Sequence, residues 1–306
     1  MVDPVRPPRL HPGDRVRVVA ASGPVHRERF AAGVAALDGH YQLIFDEAAL
    51  FSRRGFLAGD DRHRLQQLDD AIADPQCRAV FLARGGYGLT RILPSIDRAS
   101  LRRNAKPIVG YSDVTALLSL CLGAGVIAVH GPMVSDFGGL SEPDRNSLFN
   151  LLENPDPGVL LTDLDELVGG RASGRLVGGN LEVLTRLLGT PLQPSFAGTV
   201  LFLEEVGELP YRIDRSLTHL ELAGVFETVA GIVVGDFTDC EDRQEAGADR
   251  PSSRDVLTER LGRLPIPVVL DGGFGHGRHK ASLPYGGRVE LDTRSGRLVA
   301  LEGAVS

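Results

Sequence analysis

Ser112 stands in Gly110-Tyr111-Ser112-Asp113, directly after the strand-like Ile108-Val109 and at the opening of an apolar helical run from about Asp113 to Leu122. A serine on such a strand-to-helix corner can act as a nucleophile. The turn lifts its hydroxyl clear of the sheet, and the helix N-terminus favours developing negative charge. Two facts oppose this reading. Val114 occupies the place of the second glycine in the usual elbow signature, and a serine or aspartate before a helix more commonly caps it.

A nucleophilic serine needs a base, and the base an orienting acid. Of the eight histidines, His276 stands out because it lies in the glycine-rich turn from Gly272 to Gly277, directly after the apolar run Pro267–Leu270. His130, in Val129-His130-Gly131-Pro132-Met133, ends another apolar run and is the second candidate. For the acid, Leu201–Val206 puts Glu204 and Glu205 at the end of a strand, where alternation sends them to opposite faces, so only one can address a given cleft. Arg84-Gly85-Gly86-Tyr87-Gly88 follows the strand-like Ala79–Ala83. Its amides, with that of Asp113, could form an oxyanion hole in which each donor is worth about 3 kcal/mol. Gly178-Gly179-Asn180 is the fourth place where glycine accompanies a polar side chain.

The elements that must position these residues alternate in type. Strands are expected at 15–21, 41–45, 79–83 and 108–109, with helices at 28–38, 62–73 and 113–122 between or after them. That order implies βαβ units and a mostly parallel sheet, with ligands beyond the carboxyl ends of its strands. From Ser141 to Arg171 the pattern weakens around Pro143, Pro155 and Pro157, apart from a short helix-like Arg145–Leu152, and this stretch is expected to link a domain over residues 1–140 to a second over 172–306. In the second half, strands are expected at 200–204, 231–235 and 268–270, helices at 181–188 and 216–222, and a β-rich tail from Gly287, which suggests a mixed α/β or α+β domain.

Composition narrows the function. The 306 residues suit two domains, and 42% hydrophobic with 24% charged residues describes an ordinary globular chain. A net charge of −7 without a basic run argues against nucleic acid as a partner. Cys77, Cys121 and Cys240 lie far apart and form no metal or disulfide pattern, so core thiols are expected. No apolar run is long enough to span a bilayer and the start has no secretory pattern, so a cytoplasmic protein without a membrane partner is expected.

Together the clusters resemble the LD-carboxypeptidase family of serine peptidases, which includes muramoyl-tetrapeptide carboxypeptidases and microcin C self-immunity proteins. The resemblance runs through Leu10–Pro24, Gly55–Asp60, Ala83–Arg91, Gly110–Leu117, His130–Met133, Gly178–Leu181, Leu188–Pro191, Leu201–Val206, Pro210–Arg215, Gly272–His276 and Leu283–Gly286, and so covers nearly the whole chain. It implies an α/β fold, with a flavodoxin-like parallel-sheet N-terminal domain and a smaller mixed α/β C-terminal domain. It also implies a homodimer, a site between the domains and no metal or cofactor. By motif, Ser112 is the nucleophile, His276 the general base and Glu204 the acid, with the amides of Asp113 and Gly86 as oxyanion hole. Arg84, Gly85, Asn180 and His130 are candidate contacts to a small peptide substrate, Arg84 for its free carboxylate. The implied reaction is release of terminal D-alanine from murein tetrapeptide in peptidoglycan recycling. Tyr285 departs from the family pattern, where leucine is expected. Three other readings remain: hydrolysis of a peptidyl-nucleotide antibiotic, for which no gripping loop is identified between Asp239 and Ser253; an α/β-hydrolase esterase; and a non-catalytic two-domain ligand-binding protein.

Overall fold

A computed structural model describes residues 3–242 and 251–306, and these form two compact units. The first takes the chain up to Pro157 together with Ser282–Gly287 and Glu302–Ser306. Its parallel strands are β1 (Arg15–Val19), β2 (Gln42–Ile44), β3 (Ala79–Leu82), β4 (Ile108–Gly110) and β5 (Ala128–His130). They lie in the order β2-β1-β3-β4-β5. This is the flavodoxin-like order, in which the strand sequence reverses between β1 and β3 and ligands bind beyond the carboxyl ends at that point. Strands β3 and β4 are buried along their whole length, as expected of a sheet covered on both faces.

The helices of this unit are α1 (Arg27–Leu37), α2 (Glu47–Leu50), α3 (Asp61–Ala73), α4 (Leu89–Ile92), α5 (Arg98–Arg103), α6 (Thr115–Gly123) and α7 (Glu142–Glu153). Several begin where the sequence offers a cap: the Asp60 carboxylate accepts from His63 N at the start of α3, and Ser141 Oγ from Asp144 N at the start of α7. Helix α6 has no polar stripe, and its first seven residues are all buried.

The second unit takes Gly158–Ala281 and Arg288–Leu301. It contains β6 (Val159–Leu161), β7 (Asp165–Val168), β8 (Arg171–Asn180), α8 (Leu181–Leu187), β9 (Val200–Val206), α9 (Pro210–Leu222), β10 (Gly231–Thr238), α10 (Ser253–Leu261) and β11 (Val268–Leu270). The chain then returns to the first unit as β12 (Leu283–Tyr285), antiparallel to β5, and ends in the second with β13 (Arg288–Asp292) and β14 (Arg297–Ala300). The second sheet runs β6-β14-β13-β8-β9-β10-β11-β7, with a parallel centre of β8 to β11 and antiparallel flanks.

The expected linker at 141–171 is therefore not a connecting loop. It holds α7, whose start at Pro143 is favourable because proline in the first turn costs no hydrogen bond, and then the edge strands β6 and β7. Nor is 172–306 one continuous domain, since β12 and the last residues pack in the first unit; Ser306 N donates to Pro7 O at 2.9 Å. Tyr285 is fully buried in β12, so it belongs to the first unit's core. The three cysteines are buried free thiols. Among the described residues no helix is long and apolar enough to cross a membrane, and no three His, Cys, Asp or Glu side chains are grouped to hold a metal ion.

Candidate active site

In the first unit, Ser112 opens a short 3-10 turn, Ser112–Val114, between β4 and α6. Its φ is 66°, a left-handed conformation that costs a non-glycine residue roughly 1–2 kcal/mol. Neither Ser112 nor Asp113 caps the helix: the N-cap positions of the 3-10 turn and of α6 are Tyr111 and Val114, and no side-chain cap bond is made at either. The strained turn thus serves to hold the hydroxyl at the carboxyl end of β4, where Ser112 stays half-buried. Val114 stands in the place of the second elbow glycine and its methyls sit over Gly110, where an added Cβ would lie 2.8 and 3.0 Å from them. The glycine of this corner therefore lies before the serine.

The turn after β3 lies directly against the hydroxyl. A Cβ at Gly85 would be 3.0 Å from Ser112 Cβ and 3.1 Å from its Oγ, while Gly86, at φ +120°, has backbone freedom that only glycine readily supplies. Gly23, just beyond β1, donates its amide to Gly85 O at 3.1 Å. Asp113 turns its buried carboxyl away from α6, accepting from Ser22 Oγ at 2.6 Å and Leu89 N at 3.0 Å. Burial pushes its carboxyl above the usual range, opposed by these donors.

In the second unit, Glu204 is completely buried near the end of β9, and its Oε2 lies 2.7 Å from His276 Nδ1. A carboxylate at that distance favours the tautomer in which Nδ1 donates to it. The loop carrying His276 is fastened by backbone and by an aromatic plug. Gly272 N donates to Val234 O at 2.9 Å, Asp236 N to Phe274 O at 3.0 Å, and Lys280 Nζ to Gly275 O at 3.0 Å. The fully buried Phe274 ring meets Phe202 edge-on at 5.7 Å, and a Cβ at either Gly235 or Gly272 would come within 2.5 Å of it. Gly275 is needed for the Glu204–His276 contact itself, since at φ +101° its Cβ would lie 2.6 Å from Glu204 Oε2. The β9–β10 register shifts between Val234 and Phe237, and this bulge carries Asp236, whose Oδ2 would be 1.9 Å from a Cβ at Gly277.

Comparison with known proteins decides the family. Residues 16–131 match the LD-carboxypeptidase N-terminal domain, and residues 173–291 the LD-carboxypeptidase C-terminal domain. The chain belongs to the LD-carboxypeptidase family. A Synechocystis relative provisionally named a carboxypeptidase is 40% identical over 298 residues, covering 96% of each chain. The solved muramoyltetrapeptide carboxypeptidase of Oxalobacter formigenes is 30% identical, with a TM-score of 0.84 over 94% of this chain and 98% of that one. The microcin C7 self-immunity protein, solved with glutamyl sulfamoyl guanosine, shares the fold with a TM-score of 0.90 over 99% of this chain and 100% of that one, at 24% identity.

As a member of this family, the chain has more at these strand ends than its motifs named. Glu205, on the other face of β9, bridges α8 and β8 by accepting from Glu182 N and Asn180 Nδ2, both at 2.8 Å. Burial raises its carboxyl to about 7. Asn180, expected to touch substrate, also caps α8 through Val183 N at 3.1 Å. Arg84, nominated for the substrate carboxylate, donates Nη1 to Pro24 O at 2.7 Å. His130 is buried in β5, with its ring 5.9 Å from that of Tyr111. Ser22, Asp236 and the Phe274 plug escaped sequence reasoning. Ser22 could have been found as a polar residue just beyond β1, at the point where strand order reverses; the other two carry no local signal. The stretch 239–253 includes residues 243–250, which lie outside the described residues, as does that part of the question of a gripping loop.

Proposed function

We propose that the protein is a serine-type LD-carboxypeptidase acting on murein tetrapeptide, hydrolysing the bond between the L-centre of its diamino acid and the terminal D-alanine. Ser112 attacks the carbonyl while His276 Nε2 takes its proton, and Glu204 holds the imidazole by Nδ1 and stabilises the imidazolium that forms. The oxyanion rests on the amides of Asp113 and Gly86. Collapse of the adduct expels D-alanine, protonated by His276, and water activated by the same imidazole then releases the tripeptide. This reading takes the nucleophile from one unit and the acid–base pair from the other, which is why no local spacing in the sequence contains a triad. It also extends to cytoplasmic peptidoglycan recycling by a homodimer.

The observation that carries the serine mechanism is the φ of 66° at Ser112, on a strand-to-helix corner where the side chain caps nothing. Strain kept at one residue without a structural return points to function. The choice of murein tetrapeptide leans on the Oxalobacter relative. Mass spectrometry of murein tetrapeptide incubated with the wild type and with Ser112→Ala tests both parts. The wild type is expected to release D-alanine and the variant not. A silent wild type defeats the substrate assignment, and an equally active variant defeats the serine mechanism.

A further inference from the structure

Asp113 follows the proposed nucleophile, yet its carboxyl points away from the proposed reaction, into the core of the first unit. There it receives Ser22 Oγ from the segment after β1 and Leu89 N from the end of the glycine turn after β3. Arg64 of α3 is also fully buried here, with Nη1 donating to Ala21 O at 2.6 Å and lying 2.6 Å from where a Cβ of Gly88 would stand. A buried carboxylate, a buried guanidinium and a buried hydroxyl therefore join three strand ends. Losing any of the bonds to the Asp113 carboxyl or to Arg64 Nη1 would strand a buried polar atom, so the arrangement has little freedom to shift.

We infer that the Asp113 side chain is a positioning residue: held by Ser22, it fixes the Arg84–Gly88 turn relative to the elbow and so sets the spacing between the two oxyanion donors. This rests on the function proposed above. One donor of that reaction, Asp113 N, belongs to the same residue as the carboxyl. The other, Gly86 N, lies three residues before the Leu89 amide that the carboxyl grips. One rigid side chain thus spans both halves of the oxyanion hole. The arrangement explains why a fully buried serine follows β1: its hydroxyl satisfies a carboxyl that would otherwise pull away from the turn. Preorganised donors act only when their separation matches the tetrahedral adduct, and a displacement near 1 Å costs about a hundredfold in rate.

The test uses Ser22→Ala, Asp113→Asn and Asp113→Ala in the full chain. The readouts are D-alanine release, affinity for a peptide boronic acid that forms a tetrahedral adduct with Ser112, and affinity for the tripeptide product. Ser22→Ala should lower kcat by about ten- to a hundredfold and weaken the boronic acid by the same factor, with KM and product affinity within about twofold. Asp113→Asn, which keeps an acceptor for Leu89 N, should lose less than Asp113→Ala. Hydrogen exchange at the Leu89 amide should quicken in the order of those losses. If Asp113→Ala fails to fold, Ser22→Ala and Asp113→Asn carry the test. Equal losses in boronic acid and product affinity would mean a general structural role and overturn the inference, as would parameters unchanged throughout. A wild type that neither releases D-alanine nor binds the boronic acid overturns the proposed function itself, and the inference with it.

Discussion

The two units place their chemistry by different physical means. In the first, backbone conformation does it: Ser112 is held at φ 66°, and glycine at 85 gives its hydroxyl room. In the second, a hydrogen bond to a buried carboxyl does it, with Glu204 at zero exposure bonded to His276 Nδ1 and the loop plugged by Phe274. A strained turn defines one direction for a short side chain and tolerates little change beside it. A buried carboxylate orients a long, rotatable imidazole, and it needs space beside it. Glycine serves both ends, at Gly85 as a missing side chain beside the hydroxyl and at Gly275 as a missing side chain that also takes a left-handed backbone.

Removing the proposed reacting groups should give the largest effects and should not distinguish the units. Ser112→Ala and His276→Ala are each expected to lower D-alanine release by at least about ten-thousandfold. Glu204→Gln keeps the shape but loses the charge and tautomer control, and a fall of about a thousand- to ten-thousandfold is expected in kcat. A Glu204→Gln variant within tenfold of the wild type would remove Glu204 from the mechanism.

Much of this division was legible in the sequence, because the clusters at 84–88, 110–113 and 272–277 are short and each follows an apolar strand. The parallel character of the first sheet follows from alternating strands and helices, and β1 to β4 fall within a few residues of the bounds expected, whereas alternation alone does not give the strand order. What was not legible depends on contacts distant in sequence. Strand β8 holds Gly174, Gly178 and Gly179, and glycine disfavours strands in isolation; here a Cβ at Gly178 would lie 1.8 Å from Phe202 O, so β9 requires its absence. The return of Leu283–Tyr285 to the first sheet rests on pairing with β5 and places Pro284 on an edge, where its lack of an N–H is tolerated. Helix α10 did carry a signal that was overlooked, the reciprocal cap between Ser252 and Asp255.

Glycine substitutions sharpen the contrast. Gly275→Ala combines a φ of +101° with three Glu204 atoms at 2.6–2.8 Å, so either the loop or the carboxylate must move. Activity should fall about a hundred- to a thousandfold and stability by about 2–4 kcal/mol, read by D-alanine release and denaturant unfolding. Gly85→Ala is milder, because the new methyl meets Ser112 Cβ and Oγ at 3.0–3.1 Å and Met133 Cε at 3.4 Å and the left-handed region is not involved. A loss of about tenfold in kcat with a stability cost near 1 kcal/mol or less is expected. If Gly85→Ala destabilises as much as Gly275→Ala, the distinction between strain and space fails.

The smallest effect concerns Glu205, which shares β9 with Glu204 but faces α8 and β8. Its carboxyl is raised from an ordinary 4.5 to about 7 because burial disfavours the charge more than its three donors, Val206 N, Asn180 Nδ2 and Glu182 N, favour it. A raised folded-state value means that the native protein holds this proton where the unfolded chain has released it. Its contribution is therefore fully present below about 4.5 and is lost as pH rises through about 7. The shift corresponds to at most about 3 kcal/mol across that window. Denaturant unfolding from pH 4.5 to 7.5 should show this downward trend in the wild type and a flatter one in Glu205→Gln, which keeps the shape and much of the bonding but cannot ionise. Activity measured alongside should change far less than in Glu204→Gln, because Glu205 acts through α8 and β8 and not through the imidazole. Equal slopes in the two proteins would show that Glu205 is ionised in the native state, with its three donors outweighing its burial.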